Sequence, residues 1–385
     1  MPKRPVKVFE SLLASSMGLI VVGTLNLAQA ATFAIEDLAR APRLTIRSEL
    51  GVTHVIEYAE ALTSNQWHLL TNVVVTHIPY GVVDLAAPGV QRFYRVRISQ
   101  PSMNAPDGMA LIPAGSFQMG DTFGEGRANE RPVHSVFVSA YYMDKCEVTK
   151  ALWDEVKGWT RGNGYAFANP GDGKAANHPV QSVNWYDVVK WCNARSQKEG
   201  RVPAYYSDPA RTQVYKTGQM APYVKWDAGF RLPTEAEWEK AARGGEGGHR
   251  YPWWDANTIT HSRANYHSRP DEPYDVSVTR GYHPRYWVGD WPFSSPVGSF
   301  AANGYGLHDM AGNVWEWCWD WTGSYSSESQ TDPRGSQSGS YRVVRGGSWC
   351  DSAFDCRPSF CKNFITPVNT GSNYGFRSVL PPGQP

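Results

Sequence analysis

Cysteine is scarce in this chain, six in 385 residues, which excludes a small disulfide-built scaffold and leaves the fold to hydrophobic cores. Charge is sparse too, and it cancels. Lys and Arg number 37 against 36 Asp and Glu, so no net field draws the chain to nucleic acid or to an anionic membrane. After residue 30 no stretch approaches the roughly 18 apolar residues of a membrane-spanning helix. Any partner has to be recognised locally.

The first 30 residues read as an export signal. Lys3, Arg4 and Lys7 form a basic start, Leu12 to Leu27 is mostly apolar, and Ala28-Gln29-Ala30 is an A-x-A cleavage site. Cleavage there leaves a protein with no transmembrane segment in an exported, periplasmic or extracellular setting, where disulfides are permitted. Residues 31–100 carry alternating apolar runs, LTIRSEL, THVIEYAEA, WHLLTNVVVT and QRFYRVRIS, separated by turn-forming residues. They predict a small all-β sandwich, similar to fibronectin- or immunoglobulin-like modules in strand spacing alone. It holds no cluster of chemically active side chains.

Residues 101–107 form a short linker, and the composition then changes: all six cysteines and most tryptophans lie beyond it, in a second domain at 108–380 with a tail at 381–385. Helices are few. Apolar spacing predicts one in Ser182 to Gly200. A second is predicted in Leu232 to Gly245, with Thr234 as N-cap, Glu237 completing a capping box and Gly244-Gly245 as terminator. Glu235, Glu237 and Glu239 on that helix are explained by capping and by local pairing with Arg231 and Arg243, without catalysis. Short strands and long Gly/Pro/Asn loops make up the rest, so buried Trp and Tyr must unify the domain.

Seven phrases then stand in order: GMALIPAGSFQMG (108–120), YYMDKCEVT (141–149), HPVQSVNWYDVVKWCN (178–193), GFRLPTEAEWEKAARGG (229–245), NGYGLHDMAGNVWEWCWDW (303–321), YRVVRGGSWC (341–350) and NYGFR (373–377). Together they closely resemble the formylglycine-generating enzyme, or sulfatase-modifying factor, family over about 270 of the 385 residues. The resemblance implies an α+β, irregular C-type-lectin-like fold. It also implies, for active members, copper- and O2-dependent oxidation of a cysteine in an unfolded or extended protein substrate such as a sulfatase. Other branches have different jobs, and some modules have no known activity, so the fold is better specified than the function. The H-x-x-x-H-x-E cluster of the iron-dependent sulfoxide synthases is missing.

Soft thiolates select Cu(I), so the chemistry needs a cysteine pair. The family pattern runs G-G-S-x-x-C-x-x-x-x-C, often with C-x-P-S-Y-C text, and two registers compete here. Counted from Ser348, Cys356 stands at the second cysteine but Cys350 comes one residue early; by local text, Cys356 and Cys361 of C-R-P-S-F-C match, too far from Ser348. Cys356 and Cys361 are the expected copper pair, with Cys350 as competitor. The alternative is structural: a disulfide from Cys356 or Cys350 to Cys318, in a non-catalytic, calcium-stabilised binding module of the same fold.

The resemblance further assigns Ser348, Trp315 and Asn373 to the place where O2 or peptide sits beside the copper. For structural calcium it assigns Asp309, Glu316 and the carbonyls of Gly312 and Val314, a mixture of oxygen donors that suits a hard cation. Asn265 and the Tyr266 carbonyl resemble a second calcium site, with Asp290 as the candidate acid downstream.

Overall fold

A computed structural model describes residues 32–36, 43–47, 53–59, 68–74, 80–83, 93–98, 105–245 and 247–382. The expected signal segment, most of the linker and the last three residues of the tail lie outside them. The chain divides into two units, Met1–Ser102 and Met103–Pro385.

In the first unit the alternating runs become strands β1 (Thr32–Glu36), β2 (Arg43–Arg47), β3 (Thr53–Ala59), β4 (His68–Val74), β5 (Tyr80–Val83) and β6 (Phe93–Ile98). They pair antiparallel as two three-stranded sheets, β1-β2-β5 and β4-β3-β6. Leu44 and Val82 from one sheet and Ile56 and Tyr94 from the other form a single apolar cluster.

In the second unit β7 (Met109–Ile112), β8 (Gly115–Met119), β9 (His134–Val138) and β10 (Tyr141–Asp144) precede the first helix, α1 (Lys150–Trp159). The sequence reading did not single out α1. It is capped by Thr149, whose hydroxyl accepts from the Leu152 N–H at 3.1 Å, and it buries only Trp153 and Val156. Helix α2 (Trp185–Lys198) falls inside the predicted segment, capped by Asn184 and buried along most of its length. Strands β11 (Tyr205–Tyr206) and β12 (Tyr223–Val224) lead to α3 (Glu235–Ala242), which has the expected capping box: Thr234 accepts from Glu237 N–H while the Glu237 carboxylate accepts from Thr234 N–H at 2.8 Å.

The remaining elements are β13 (Trp315–Trp321), β14 (Gln330–Thr331), β15 (Arg342–Arg345), β16 (Cys361–Ile365), β17 (Tyr374–Gly375) and β18 (Val379–Leu380), and four of them supply the sheet on which the site is built. Its strand order is β16-β15-β13-β17, with β13 antiparallel to β15 and parallel to β17. Tryptophan does unify the unit. Trp153 and Trp191 stack 5.8 Å apart, and the Arg342 guanidinium is held between Trp185 and Trp321, 3.7 and 3.4 Å from their ring centres. Arg231 and Arg243 pair with Glu237 and Glu239 as expected. Glu235 does not pair locally: its carboxylate binds Arg345, 2.8 Å away and 110 residues further along the chain.

Candidate functional site

The Gly346-Gly347-Ser348 turn leaves β15 with φ of +95° and +76° at its two glycines. Both positions disfavour a side chain. A Cβ on Gly346 would stand 3.1 Å from the Trp238 ring, and one on Gly347 would stand 2.8 Å from the Cys356 sulfur. The tight turn carries Ser348 to the start of β13, where Trp315 N–H donates to the Asn373 carbonyl at 2.8 Å. Ser348, Trp315 and Asn373, drawn from three distant parts of the sequence, therefore do come together.

Their shared centre is Asp351. Its Oδ2 accepts from the Ser348 hydroxyl and from Trp315 Nε1, the latter at 2.7 Å. Asn373 Nδ2 lies 3.2 Å from Ser348 Oγ and 3.3 Å from Cys350 Sγ, and Cys350 Sγ lies 3.3 Å from Ser348 Oγ. Lys362 closes the cluster, with Nζ 3.7 Å from Asp351 Oδ1 and 4.7 Å from the centre of the Trp315 ring. Burial, and then the Asp351 charge, push the Cys350 thiol up to about 11, so at neutral pH it is a thiol and not a thiolate. The sequence reading passed over Asp351 and Lys362. Counting offered the signal, since Asp351 is the residue that falls third after Ser348, where the family pattern has its first cysteine.

Cys356 and Cys361 do not join this cluster, and they are not brought together. Cys356 packs with Tyr251, Tyr266, Ala311 and Ala353, whereas Cys361 belongs to a different apolar cluster with Trp238, Cys318 and Val343. Burial holds both thiols well above their ordinary pKa. The C-R-P-S-F-C text has another use. Arg357 forks onto both oxygens of the buried Glu130, at 3.0 and 3.1 Å, and the Ser359 hydroxyl donates to the same carboxylate at 2.9 Å. The disulfide alternative does not form either, because all six cysteines are free. A two-thiolate copper centre requires two sulfurs on one metal, and the residues expected to hold it do not fit that requirement.

The calcium set is redistributed. Glu316 is engaged by protein donors: Arg377 reaches its two oxygens, each at 2.7 Å, and Trp238 Nε1 donates at 2.7 Å. Its charge is thus already met by a buried guanidinium. Asp309 is different. Its Oδ2 accepts from Gly298 N–H at 2.6 Å, while its buried Oδ1 has no partner, and neither has the buried Oε2 of Glu147. The other Glu147 oxygen accepts from Asn313 Nδ2 at 3.0 Å. Burial raises both carboxyls, Asp309 to about 6, and the Asp309 charge raises Glu147 further. Gly312, at φ +82°, packs its backbone on Asn265, where a Cβ would overlap the Asn265 carbonyl, and Val314 is core. At the second expected site the Tyr266 carbonyl faces His261 Nε2 at 3.2 Å, Asn265 Nδ2 donates to the Phe293 carbonyl at 2.9 Å, and Asp290 is exposed. The Tyr266 carbonyl is thus used within the protein, whereas Asn265 Oδ1, the atom that would ligate a cation, is buried without a partner.

An aromatic wall adjoins Ser348. The Trp349 ring is 4.7 Å from Trp291, 5.4 Å from Phe293 and 5.9 Å from Tyr282, and Trp287 and Trp291 are each 61% exposed. No described helix is long and apolar enough to cross a membrane.

Comparison with known proteins agrees with this architecture. The family profile described as "Sulfatase-modifying factor enzyme 1-like domain" matches residues 96–381. The chain is 35% identical to a formylglycine-generating enzyme of Streptomyces coelicolor, over 70% of its own length and 88% of that protein's. It is 30% identical to the "Chaperone protein LppX" of Paenibacillus barcinonensis, over 71% and 89%. Among solved structures, the Treponema denticola variable protein 1 superposes with a TM-score of 0.55 at 30% identity, covering 71% of this chain and 95% of that one. Through residues 96–381 the chain belongs to the sulfatase-modifying factor, or formylglycine-generating enzyme, family.

Proposed function

We propose that this chain is an exported, polypeptide-binding member of its family that does not oxidise a thiol through a two-thiolate copper centre. The observation that carries the reading is the occupancy of the site's centre. A carboxylate, Asp351, stands among Ser348, Trp315 and Asn373, and a single protonated thiol, Cys350, stands beside it. Fixed hydroxyl, amide and carboxylate groups suit the alternating donors and acceptors of an extended main chain. The adjoining exposed tryptophans supply an apolar face for its side chains. Relatives named for modifying a protein and for acting as a chaperone both handle polypeptides, which is the common ground.

Calcium keeps a place in this reading. A hard cation would be held by the unpartnered oxygens of Asp309 and Glu147, with Glu147 standing in for Glu316, and it would cancel the repulsion between two buried carboxylates.

Thiol chemistry at Cys350 is the second reading, favoured by its contact with Ser348 and Asn373. Anaerobic Cu(I) titration of the reduced chain separates the two. The expected result is no stoichiometric tight binding, together with saturable binding of a reduced, alkylated, unfolded protein that Asn373→Ala weakens. One tightly held copper, lost in Cys350→Ser, would establish the second reading. Loss in Cys356→Ser or Cys361→Ser would restore the pair expected from the sequence.

A further inference from the structure

At the far end of β13 from Trp315 lies a separate cavity of about 590 Å3, within the range of roughly 300–1,000 Å3 in which small ligands sit. Asp320 in its wall stands five positions along the strand from Trp315, about 17 Å at the usual rise. Asp320, Glu235, Trp321, Tyr325, His134 and Arg334 line it. Nothing in the reading of the Ser348 cluster uses these groups.

Two of them have no ion-pair partner among the described residues. Asp320 is only 3% exposed; among the described residues it forms no ion pair, and its one hydrogen bond is from Glu235 N–H at 2.8 Å. A buried carboxylate without a cation is costly unless something else meets it. Its neighbour Glu235 does not help, since that carboxylate is committed to Arg345 and to the Tyr325 hydroxyl. Burial, and then the Glu235 charge, hold Asp320 well above the usual carboxylate range. The Arg342 charge offsets this in part but makes no ion pair with Asp320: its guanidinium stacks on the Trp321 ring and its Nη1 donates to the Trp319 carbonyl. At the rim, Arg334 is exposed and stacks on Trp226, 4.4 Å from the ring centre, and no carboxylate pairs with it among the described residues.

An acid in the depth, a base at the mouth and aromatic rings beside them make a dipolar receptacle. A metal ion would find too few ligands: no group of three or more His, Cys, Asp or Glu side chains suited to a metal occurs among the described residues. A simple anion would meet two acids, and a simple cation would meet Arg334. We infer that this cavity binds a small zwitterion, a free amino acid or short peptide, with its ammonium on Asp320 between Trp321 and Tyr325 and its carboxylate on Arg334. The ammonium gains a charge-assisted hydrogen bond and cation–π contact, and the carboxylate gains a guanidinium partner.

The test is isothermal titration of the full chain with the standard free amino acids and glycine-containing dipeptides, each beside its N-acetylated and its C-amidated form. At least one free zwitterion is expected to bind, with both blocked forms about tenfold or more weaker, the factor for losing one charge-assisted hydrogen bond. Asp320→Asn should abolish discrimination against the N-acetylated form, and Arg334→Ala should abolish discrimination against the amide. Asp320→Asn keeps an oxygen to accept from Glu235 N–H, and Arg334 is at the surface, so both variants should stay folded, as their melting curves would show. Equal binding of blocked and free forms would overturn the dipolar assignment. Heats indistinguishable from buffer for every compound would show that the cavity is only a solvent pocket. Binding that survives both substitutions would place the ligand elsewhere.

Discussion

Glu316→Gln distinguishes an ion-pair anchor from a calcium ligand. Glu316 and Arg377 are 1% and 0% exposed, and the guanidinium donates Nε to Oε2 and Nη2 to Oε1, while Trp238 Nε1 also donates to Oε2. The amide keeps the shape of the carboxylate but replaces one acceptor by an NH2 group. Whichever way it is turned, that NH2 faces a donor of Arg377, and the buried guanidinium loses its counter-charge. Arg377 retains the carbonyls of Asp144, Lys145 and His308, so the core is not emptied.

Removing one partner of a buried pair costs about 3–5 kcal/mol. Unfolding entropy near 2.1 cal/mol/K per residue gives about 0.6 kcal/mol/K over the Met103–Pro385 unit, so the melting temperature should fall by about 5–8 °C. Tryptophan fluorescence reads this unit almost alone, because Trp67 is the one tryptophan outside it. The loss should be the same in EDTA and in millimolar calcium. Replacing both partners, as Glu316→Leu with Arg377→Met, should cost less than either single change. A Glu316→Gln protein that matches the parent in EDTA and falls below it only with calcium present would refute the ion-pair account and return Glu316 to the metal.

Calcium itself, held by Asp309 and Glu147, should raise the melting temperature of the second unit by the equivalent of about 2.7 kcal/mol at a hundredfold excess over Kd, and Glu147→Gln should remove most of that gain; superimposable melts of a metal-free preparation with and without calcium would exclude the site. Burial lowers the pKa of His178, His261, His267 and His283. The unfolded chain therefore binds more protons than the folded one below about pH 6.5, and these residues withdraw stability as the pH falls through that point, with no effect above it. His283, whose Nε2–H donates to the His261 carbonyl at 2.6 Å, is the one to replace: relative to the parent, His283→Gln should flatten the acid limb of melting temperature against pH, and an unchanged limb would refute the assignment. Glu130→Gln should cost about 3–5 kcal/mol by stranding Arg357, measured by the same fluorescence melt, and a loss under 1 kcal/mol would mean that C-R-P-S-F-C is not a structural anchor.

What could be read in advance was local. The Thr234–Glu237 capping box spans four residues, and the strand-like alternation of residues 31–100 has a period of two, so neither needs a distant partner to be recognised. Helix α1 escaped because its signal is weak: ten residues with two buried apolar positions and a threonine cap inside the YYMDKCEVT phrase. The partner of Glu235 escaped for a different reason. Arg243 is eight residues away and Arg345 is 110, and nothing in the helix text says that the nearer base is taken by Glu239.

The cysteines carry this difference to the site. C-R-P-S-F-C was read as a metal loop because its letters match, yet the partner that fixes its use, Glu130, lies 227 residues before Arg357. Pattern and spacing carried unequal weight there. The spacing from Ser348 depends on a turn of two glycines, each at a position that disfavours a side chain, so the count through that turn is a geometric constraint that local text cannot override. That count places Asp351 third after Ser348, where its carboxylate meets Ser348 and Trp315, and Cys350 one step off-centre beside Asn373. A sulfur and a carboxylate at that position make different chemistry from the same fold: the first can share a soft metal with a second sulfur, whereas the second orders hydroxyl and indole donors, the arrangement on which the proposed polypeptide binding rests.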